Sequence, residues 1–385
     1  MRLTLIARFA VFALFALSSP AAAQRVELAG RVTASRTVLS QRRVGEPRYI
    51  AISDLFYQDR TGVIEVLDLE TRSVIQVAVK RALLERRFGH ANDGVVAVPQ
   101  GEVVMYRDGI AGVALSEATG GKSHRTWYIE VNGSGKITRA AGLATVGEGE
   151  QLQVVGTDSV GGAAWFALTK VSARGRGVVL RRLDLGSLEV RDAQRVELTT
   201  RAERGGREHA VDVHAAADFS KFAIVEYAED GVAMPPGKVI VVDPVTGATF
   251  GVPAPPTVYG VAFSADDRFA YLASAQRGTI SRIDLAAGRI DKQVAAPRNV
   301  HHLIVSPTGT RLLAFATSNT YAVYDLPDLK ARSDAAHPAG LAPAMVQLHG
   351  EGIASLDGAF FIVPDVEDRH RIPRDRTYVV ARIID

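Results

Sequence analysis

The chain has 385 residues, no cysteine and a formal net charge of +3. The lack of cysteine excludes disulfides, cysteine nucleophiles, cysteine-ligated iron–sulfur clusters and thioether-linked haem. The near balance of acidic and basic residues gives no basis for nucleic-acid binding, which calls for a basic face.

Residues 1–23 have the pattern of a secretory signal peptide. Arg2 and Arg8 precede an apolar run from Phe9 to Leu17, and three alanines end at Ala23. The pattern predicts cleavage after Ala23 and a mature protein that is periplasmic or secreted. The apolar run is too short for a bilayer, which takes roughly 20 apolar residues, and no later stretch approaches that length, so we expect no membrane span. Residues 24–385 show no linker or shift in composition, which predicts a single domain.

A strand that ends in Asp or Asn recurs along the mature chain. The side chain of such a residue accepts hydrogen bonds from backbone N–H groups two residues on and fixes the turn to the next strand. The seven copies are 41 to 64 residues apart. This spacing predicts an all-β fold, a seven-bladed β-propeller in which each copy is the third strand of a blade. The copies end at Asp68, Asn132, Asp184, Asp243, Asp284, Asp325 and Asp385.

The fifth and sixth units also show their first and second strands. Residues 260–264 and 269–273 form this pair in the fifth unit, and residues 302–306 and 312–316 form it in the sixth. The last unit ends with the chain and lacks a fourth strand, whereas a spare strand-like run occupies residues 25–32. We therefore predict that the N-terminal strand closes the last blade and leaves no long unpaired edge.

The connections on the two faces of the predicted propeller differ in length. Turns between first and second strands are short, whereas longer connections are expected on the opposite face, together with the connections between blades. Because loops carry specificity, this face is the expected binding face. The predicted second-to-third connections are 107–125, 228–238 and 364–376, and the connections between blades include 80–93, 199–210 and 335–343.

Histidines and acidic residues gather near the predicted channel mouth. Alignment of the first strands places Gly94, Val154, Asp212, Gly260, His302 and His349 at equivalent positions, with Asp93, His301 and Glu351 close by. Imidazoles and carboxylates that converge on one point can hold a divalent metal or act as acid and base. One hypothesis is therefore a metal site formed by His302, His349, Asp212 and Glu351; the alternative is that these side chains simply face water. The predicted binding face also contains Asp93, His124, His209, His301 and His370.

Three segments resemble the repeats of YVTN-type β-propellers. They are residues 241–247, 269–274 and 283–290, and the resemblance is clearest from Gly237 to Asp334. This superfamily includes the heavy chains of quinoprotein amine dehydrogenases and lactonase-like propellers. The resemblance implies the fold, while its members serve as scaffolds, partner-binding subunits and enzymes alike. No catalytic motif is present to carry over.

Two main hypotheses for function follow. The first is a non-catalytic periplasmic or secreted propeller, monomeric unless in a complex, that binds a partner protein or an extracellular ligand through its loop-rich face. The alternative is a lactonase-like or lyase-like enzyme with a divalent metal at the channel mouth. The family resemblance alone adds a third, a subunit of a redox complex. Apart from a possible divalent metal, no cofactor is indicated.

Overall fold

The computed structural model describes most of the chain and shows an all-β protein. Statements of absence below refer to the described residues. These are 26–34, 42–43, 48–53, 55–56, 62–80, 83–84, 100–117, 123–158, 162–172, 175–198, 209–228, 237–316, 321–332, 353–354, 360–364 and 376–383.

The described strands form six four-stranded antiparallel sheets and one sheet of five strands. The strands of the first half are β1 (Val26–Ala34), β2 (Arg42–Arg43), β3 (Tyr49–Ser53), β4 (Leu55–Phe56), β5 (Val63–Asp68), β6 (Ser73–Ala78), β7 (Gln100–Arg107), β8 (Ile110–Glu117), β9 (His124–Asn132), β10 (Ile137–Val146), β11 (Glu150–Asp158), β12 (Ala163–Ser172), β13 (Gly175–Asp184) and β14 (Val190–Glu197). Those of the second half are β15 (His209–Ala215), β16 (Phe222–Ala228), β17 (Gly237–Val242), β18 (Thr249–Ala254), β19 (Val258–Phe263), β20 (Phe269–Ser274), β21 (Thr279–Asp284), β22 (Arg289–Ala295), β23 (Val300–Val305), β24 (Arg311–Ala316), β25 (Tyr321–Asp325), β26 (Lys330–Arg332), β27 (Ile353–Ala354), β28 (Phe360–Pro364) and β29 (Arg376–Ile383).

Each sheet is built mainly from strands that follow one another in the chain. The orders are β2-β3-β5-β6, β10-β9-β8-β7-β4, β11-β12-β13-β14, β15-β16-β17-β18, β19-β20-β21-β22, β23-β24-β25-β26 and β1-β29-β28-β27. First strands of neighbouring sheets contact one another, as β11 contacts β15, β15 contacts β19 and β19 contacts β23, and β2 contacts β27. This arrangement of radial four-stranded sheets is that of a β-propeller.

The predicted turn residues end the third strands. Asp184 and Asp284 are the last residues of β13 and β21, and Asp243 follows β17 directly. Each accepts backbone hydrogen bonds at Oδ1 from the residues two and three positions on, as in the 3.0 Å contacts from the N–H groups of Ala286 and Ala287 to Asp284. The predicted role of these side chains is confirmed at these turns. Asp385 lies outside the described residues.

The N-terminal strand pairs with the last strand of the chain. β1 runs antiparallel to β29, with Val26 opposite Ile383 and Ala34 opposite Arg376. It is the end strand of the sheet that also holds β28 and β27. The predicted pairing of the two ends of the chain is therefore present.

The prediction for the second unit was wrong. Residues 107–125 are not one long connection, because β8 occupies residues 110–117 and joins β7 through a tight turn at Asp108 and Gly109. Both turn residues have positive φ, 51° and 77°, which is the backbone of a two-residue hairpin. The strand after the turn contains Gly112, where a Cβ would collide with the ring of Tyr128. Because β8 contains small residues, its sequence resembles that of a loop although the strand is buried. The first strand begins at Gln100, and Gly94 lies outside the described residues.

Apolar side chains pack between neighbouring sheets. Trp165 and Phe222, with ring centroids 4.8 Å apart, belong to the cluster between the β11–β14 and β15–β18 sheets. Tyr271 and Leu312 are fully buried in the cluster between the β19–β22 and β23–β26 sheets. Second strands such as β20 are buried at every residue, because they are covered on both sides. This double burial explains their continuous apolar runs.

Candidate functional site at the loop face

The two faces of the propeller differ in how their connections are built. At one face, here called the turn face, first strands join second strands and third strands join fourth strands, and the described connections there are short hydrogen-bonded turns. At the opposite face, here called the loop face, second strands join third strands and each blade joins the next. Its connections include residues 229–236, 333–352 and 365–375, which lie outside the described residues. These boundaries agree with three of the predicted long connections, 228–238, 335–343 and 364–376.

Asp212, Gly260 and His302 occupy equivalent positions in three successive first strands. Four residues after each of them, a backbone N–H closes the first-to-second turn by donating to a carbonyl oxygen at 2.9 Å. Asp212 and His302 are half-buried, and β19, which carries Gly260, lies between their strands.

The rest of the predicted metal site is not placed. His349 and Glu351 lie outside the described residues, and the described part contains no group of three or more His, Cys, Asp or Glu that could hold a metal ion. The metal site formed by His302, His349, Asp212 and Glu351 therefore stays a hypothesis.

The other predicted site residues have mixed outcomes. His124 and His209 are the first residues of β9 and β15, and both of these strands begin at the loop face. Val154 is inside β11, four residues before Asp158, and Asp158 pairs with Ala163 at the first-to-second turn, so this strand fits the same count as those of Asp212, Gly260 and His302. Asp93 and His370 lie outside the described residues.

His301 stacks on an aromatic ring of the neighbouring blade. The centroids of the His301 and Tyr259 rings are 4.5 Å apart, and the two planes are nearly parallel, at 9°. Both are the extra residue of a β-bulge at the start of their strand. A Cβ on Gly260 would collide with the His301 carbonyl, so glycine permits this close approach of β19 and β23. Tyr259 was missed in the sequence, although it is the counterpart of His301 in the preceding blade.

Hydrogen bonds tie together three loop-face connections at the same corner. The N–H of Ala275 donates to Thr257, and the N–H of Asn299 donates to Ala275. The N–H of Ala296 donates to the carbonyl of Gly278 at 2.8 Å. These bonds hold the turn between β20 and β21 against the connections that enter β19 and β23.

A buried charged pair lies between the β11–β14 and β15–β18 blades. Nη1 of Arg176 is 3.7 Å from Oε2 of Glu226, and the two side chains are 5% and 3% exposed. Lys238 is opposite Glu226 in the strand pairing. Burial raises the pKa of Glu226, against the lowering effect of Arg176 and Lys238. Sequence patterns did not reveal this pair, because its members are 50 residues apart in the chain.

No protein-family profile and no curated protein matches the chain. A chain in the crystal structure of the mitotic checkpoint complex, a WD40-like propeller, matches with a TM-score of 0.53 and 12% identity, covering 100% of this chain and 99% of that one. AztD from Citrobacter koseri matches with a TM-score of 0.43, 16% identity and coverage of 77% and 70%. Its apo structure gives 0.40, 17%, 74% and 69%. The first match shows the propeller fold alone.

Proposed function

We propose that this chain is a seven-bladed, YVTN-type propeller, exported to the periplasm or beyond, that binds a partner protein or an extracellular ligand through its loop face. The observation that carries the proposal is the inequality of the two faces. The described turns of the turn face are short and fixed by local hydrogen bonds, whereas at the loop face 20 residues, 333–352, separate the end of β26 from the start of β27. Long connections on a rigid scaffold are where binding residues concentrate.

The lack of cysteine provides a direct test. A single cysteine introduced by Ser123→Cys would lie at the loop face, since Ser123 is exposed and directly precedes β9. The matched control is Val245→Cys on the turn face, where Val245 is 87% exposed. Each variant is labelled with a photo-crosslinker and exposed to the extract of the compartment that contains the mature protein. We expect a specific adduct from Ser123→Cys and none from Val245→Cys. Adducts from the turn face alone would overturn the proposal.

Export has its own test. Residues 1–23 have the signal-peptide pattern, and no described helix is long and apolar enough to span a membrane. We expect a mature N-terminus at Gln24 in the protein recovered from the periplasm or the medium, measured by intact mass. A full-length chain retained in the cytoplasm would contradict this part of the proposal.

The metal-dependent enzyme is the second candidate. It is favoured by one observation, the equivalent half-buried positions of Asp212 and His302 in first strands separated by one blade. Elemental analysis of protein purified without chelator tests it. A stoichiometric divalent metal that is lost in His302→Ala and His349→Ala would support the site. Metal-free wild-type protein that also fails to take up calcium, magnesium or zinc would exclude it.

A further inference from the structure

Two exposed arginines belong to adjoining connections of the loop face. Arg277 belongs to the turn between β20 and β21, and Arg298 belongs to the connection between β22 and β23. A Cβ built on Gly278, next to Arg277, would lie 3.7 Å from the Cα of Arg298. The backbone segments that carry the two arginines are therefore close together, and both side chains are exposed.

This pair is held in place by the backbone. The N–H of Ala296 donates to Gly278, and the N–H of Asn299 donates to Ala275, so each arginine is flanked by a hydrogen bond that joins the two connections. The backbone positions of the two arginines are therefore fixed relative to each other. A carboxylate group that contacts both would accept charge-assisted hydrogen bonds from each.

The corner has no acidic counterpart of its own. Residues 255–259, 274–279 and 295–301, which form it, contain neither Asp nor Glu. Within the part of the chain that the structure describes, neither Arg277 nor Arg298 has an ion-pair or hydrogen-bond partner. Arg282, on the strand that follows, differs in having both nitrogens of its fork bound to Asp291, at 2.9 and 2.7 Å.

The stacked rings of Tyr259 and His301 lie at the inner end of the same connections. His301 is three residues beyond Arg298, and Tyr259 follows the connection that Ala275 binds. The corner therefore combines two cationic groups at its rim with two aromatic rings at the channel mouth. Arginine and aromatic residues are the types that most often anchor a protein partner.

We propose that this corner, formed by Arg277, Arg298, Tyr259 and His301, binds a carboxylate-rich segment of a partner protein. The inference rests on the proposed function and specifies the chemistry of the partner. Two arginines in one corner match a short acidic segment. A nucleic acid fits less well, because it is bound through many phosphate contacts along a basic face.

A labelled peptide provides the test. The probe is a short fluorescent peptide of alternating glutamate and glycine with one central tyrosine, and its counterpart has glutamine in place of glutamate. Binding to the mature protein is followed by fluorescence anisotropy at low ionic strength. We expect the glutamate peptide to bind and the glutamine peptide to bind more weakly. The affinity for the glutamate peptide should fall with added salt, because salt screens the attraction between exposed charges.

Charge reversal assigns the binding to the corner. We expect Arg277→Glu combined with Arg298→Glu to lower the affinity for the glutamate peptide by about tenfold, since each exposed ion pair contributes modestly to binding. The matched control is Arg289→Glu, which reverses an exposed arginine on the turn face of the same blade and should leave binding unchanged. All three side chains are exposed, so we expect unchanged thermal unfolding in every variant.

Three results would overturn the inference: equal binding of the two peptides, full affinity in the double variant, or displacement of the peptide by a single-stranded oligonucleotide that binds more tightly. The proposed function fails separately. Crosslinking from Ser123→Cys together with equal binding of the two peptides would keep the binding role of the loop face while excluding the basic corner. Absence of any loop-face adduct would remove the binding role even if the peptide bound.

Discussion

Asp68 and Glu226 are buried carboxylates that each face an arginine, yet their pKa values shift in opposite directions. Asp68, at the turn face, is 5% exposed and receives the Nε and Nη2 groups of Arg48 at 2.8 and 2.6 Å. Backbone N–H groups of Glu70 and Thr71 also donate to it. Glu226, between two blades, has Arg176 at 3.7 Å, and neither of its oxygens has a hydrogen-bond partner among the described residues.

The difference teaches that hydrogen-bond donors, rather than proximity to an arginine, decide the direction in which the pKa of a buried carboxylate shifts here. Burial alone would raise the pKa of Asp68, but the donors from Arg48, Thr71 and Glu70 lower it to about 2. Burial raises the pKa of Glu226, and the attraction of Arg176 does not offset it. The turn of the first blade stabilises the ionised carboxylate of Asp68 through several hydrogen-bond donors. The interface between the β11–β14 and β15–β18 blades destabilises the ionised carboxylate of Glu226 through burial.

The largest effect is expected when Glu226 loses its arginine. Arg176→Met should lower the free energy of unfolding by about 3 kcal/mol at neutral pH, because a buried carboxylate then remains without its ion-pair partner. Urea unfolding followed by circular dichroism measures this. The loss should be smaller at a pH below 4.5, where Glu226 is protonated in both the folded and the unfolded chain.

A double variant separates the pair from its packing. Arg176→Met combined with Glu226→Gln removes both charges, and we expect it to regain most of the loss, because replacing both members of a buried pair is often close to neutral. A double variant as unstable as Arg176→Met alone would show that the arginine stem, rather than the charge, stabilises this interface.

The second effect concerns Asp68, the buried carboxylate that accepts several hydrogen bonds. Asp68→Asn should lower the free energy of unfolding by about 2 kcal/mol at neutral pH, since the charged fork with Arg48 is lost. The folded pKa of Asp68 is below its ordinary value of 3.8, so its contribution is present above that value and is lost as the pH falls toward 2. The difference between wild type and variant in urea unfolding should therefore shrink from pH 5 to pH 2. A constant difference would contradict the assignment to ionisation.

The features that could be predicted from the sequence are local ones. The turn aspartates are local signals, because Asp184 or Asp284 binds N–H groups two and three residues on, and so the third strands and the propeller could be predicted. The pairing of β1 with β29 followed from a missing strand at one end and a spare one at the other. These features depend on neighbours in the chain or on counting repeats.

The missed features depend on contacts across blades. Arg176 and Glu226, and likewise Tyr259 and His301, come together only when two sheets pack, and no spacing in the chain marks them. The glycine-containing β8 was missed for a related reason. Gly112 is required by the ring of Tyr128 from the next strand, whereas in the sequence it suggests a loop.

A smaller effect, visible mainly as a pH dependence, is expected for Glu226→Gln. The folded pKa of Glu226 is above its ordinary value of 4.5, so wild type loses stability relative to the variant as the pH rises from 4.5 through the folded pKa. We expect the variant to be within about 1 kcal/mol of wild type at neutral pH, because Arg176 loses its counter-charge while the cost of a buried anion disappears. Thermal unfolding at pH 4 and pH 7 measures this. If Glu226→Gln instead became more stable relative to wild type as the pH falls, the pKa of Glu226 would be lowered in the folded protein, and the contrast with Asp68 would be contradicted.

The smallest effect tests whether the arginine at Asp68 matters at all. Asp284 accepts the same pattern of backbone donors, from Ala286 and Ala287 at 3.0 Å, but has no ion-pair partner among the described residues. Asp284→Asn keeps an oxygen that can accept both hydrogen bonds, so we expect a loss of about 0.5 kcal/mol in urea unfolding. If Asp284→Asn is as damaging as Asp68→Asn, the turn alone requires a full negative charge, and Arg48 adds nothing. If it is much less damaging, the carboxylate of the first blade owes its stabilising effect to Arg48, the kind of close, bidentate partner that Glu226 does not have.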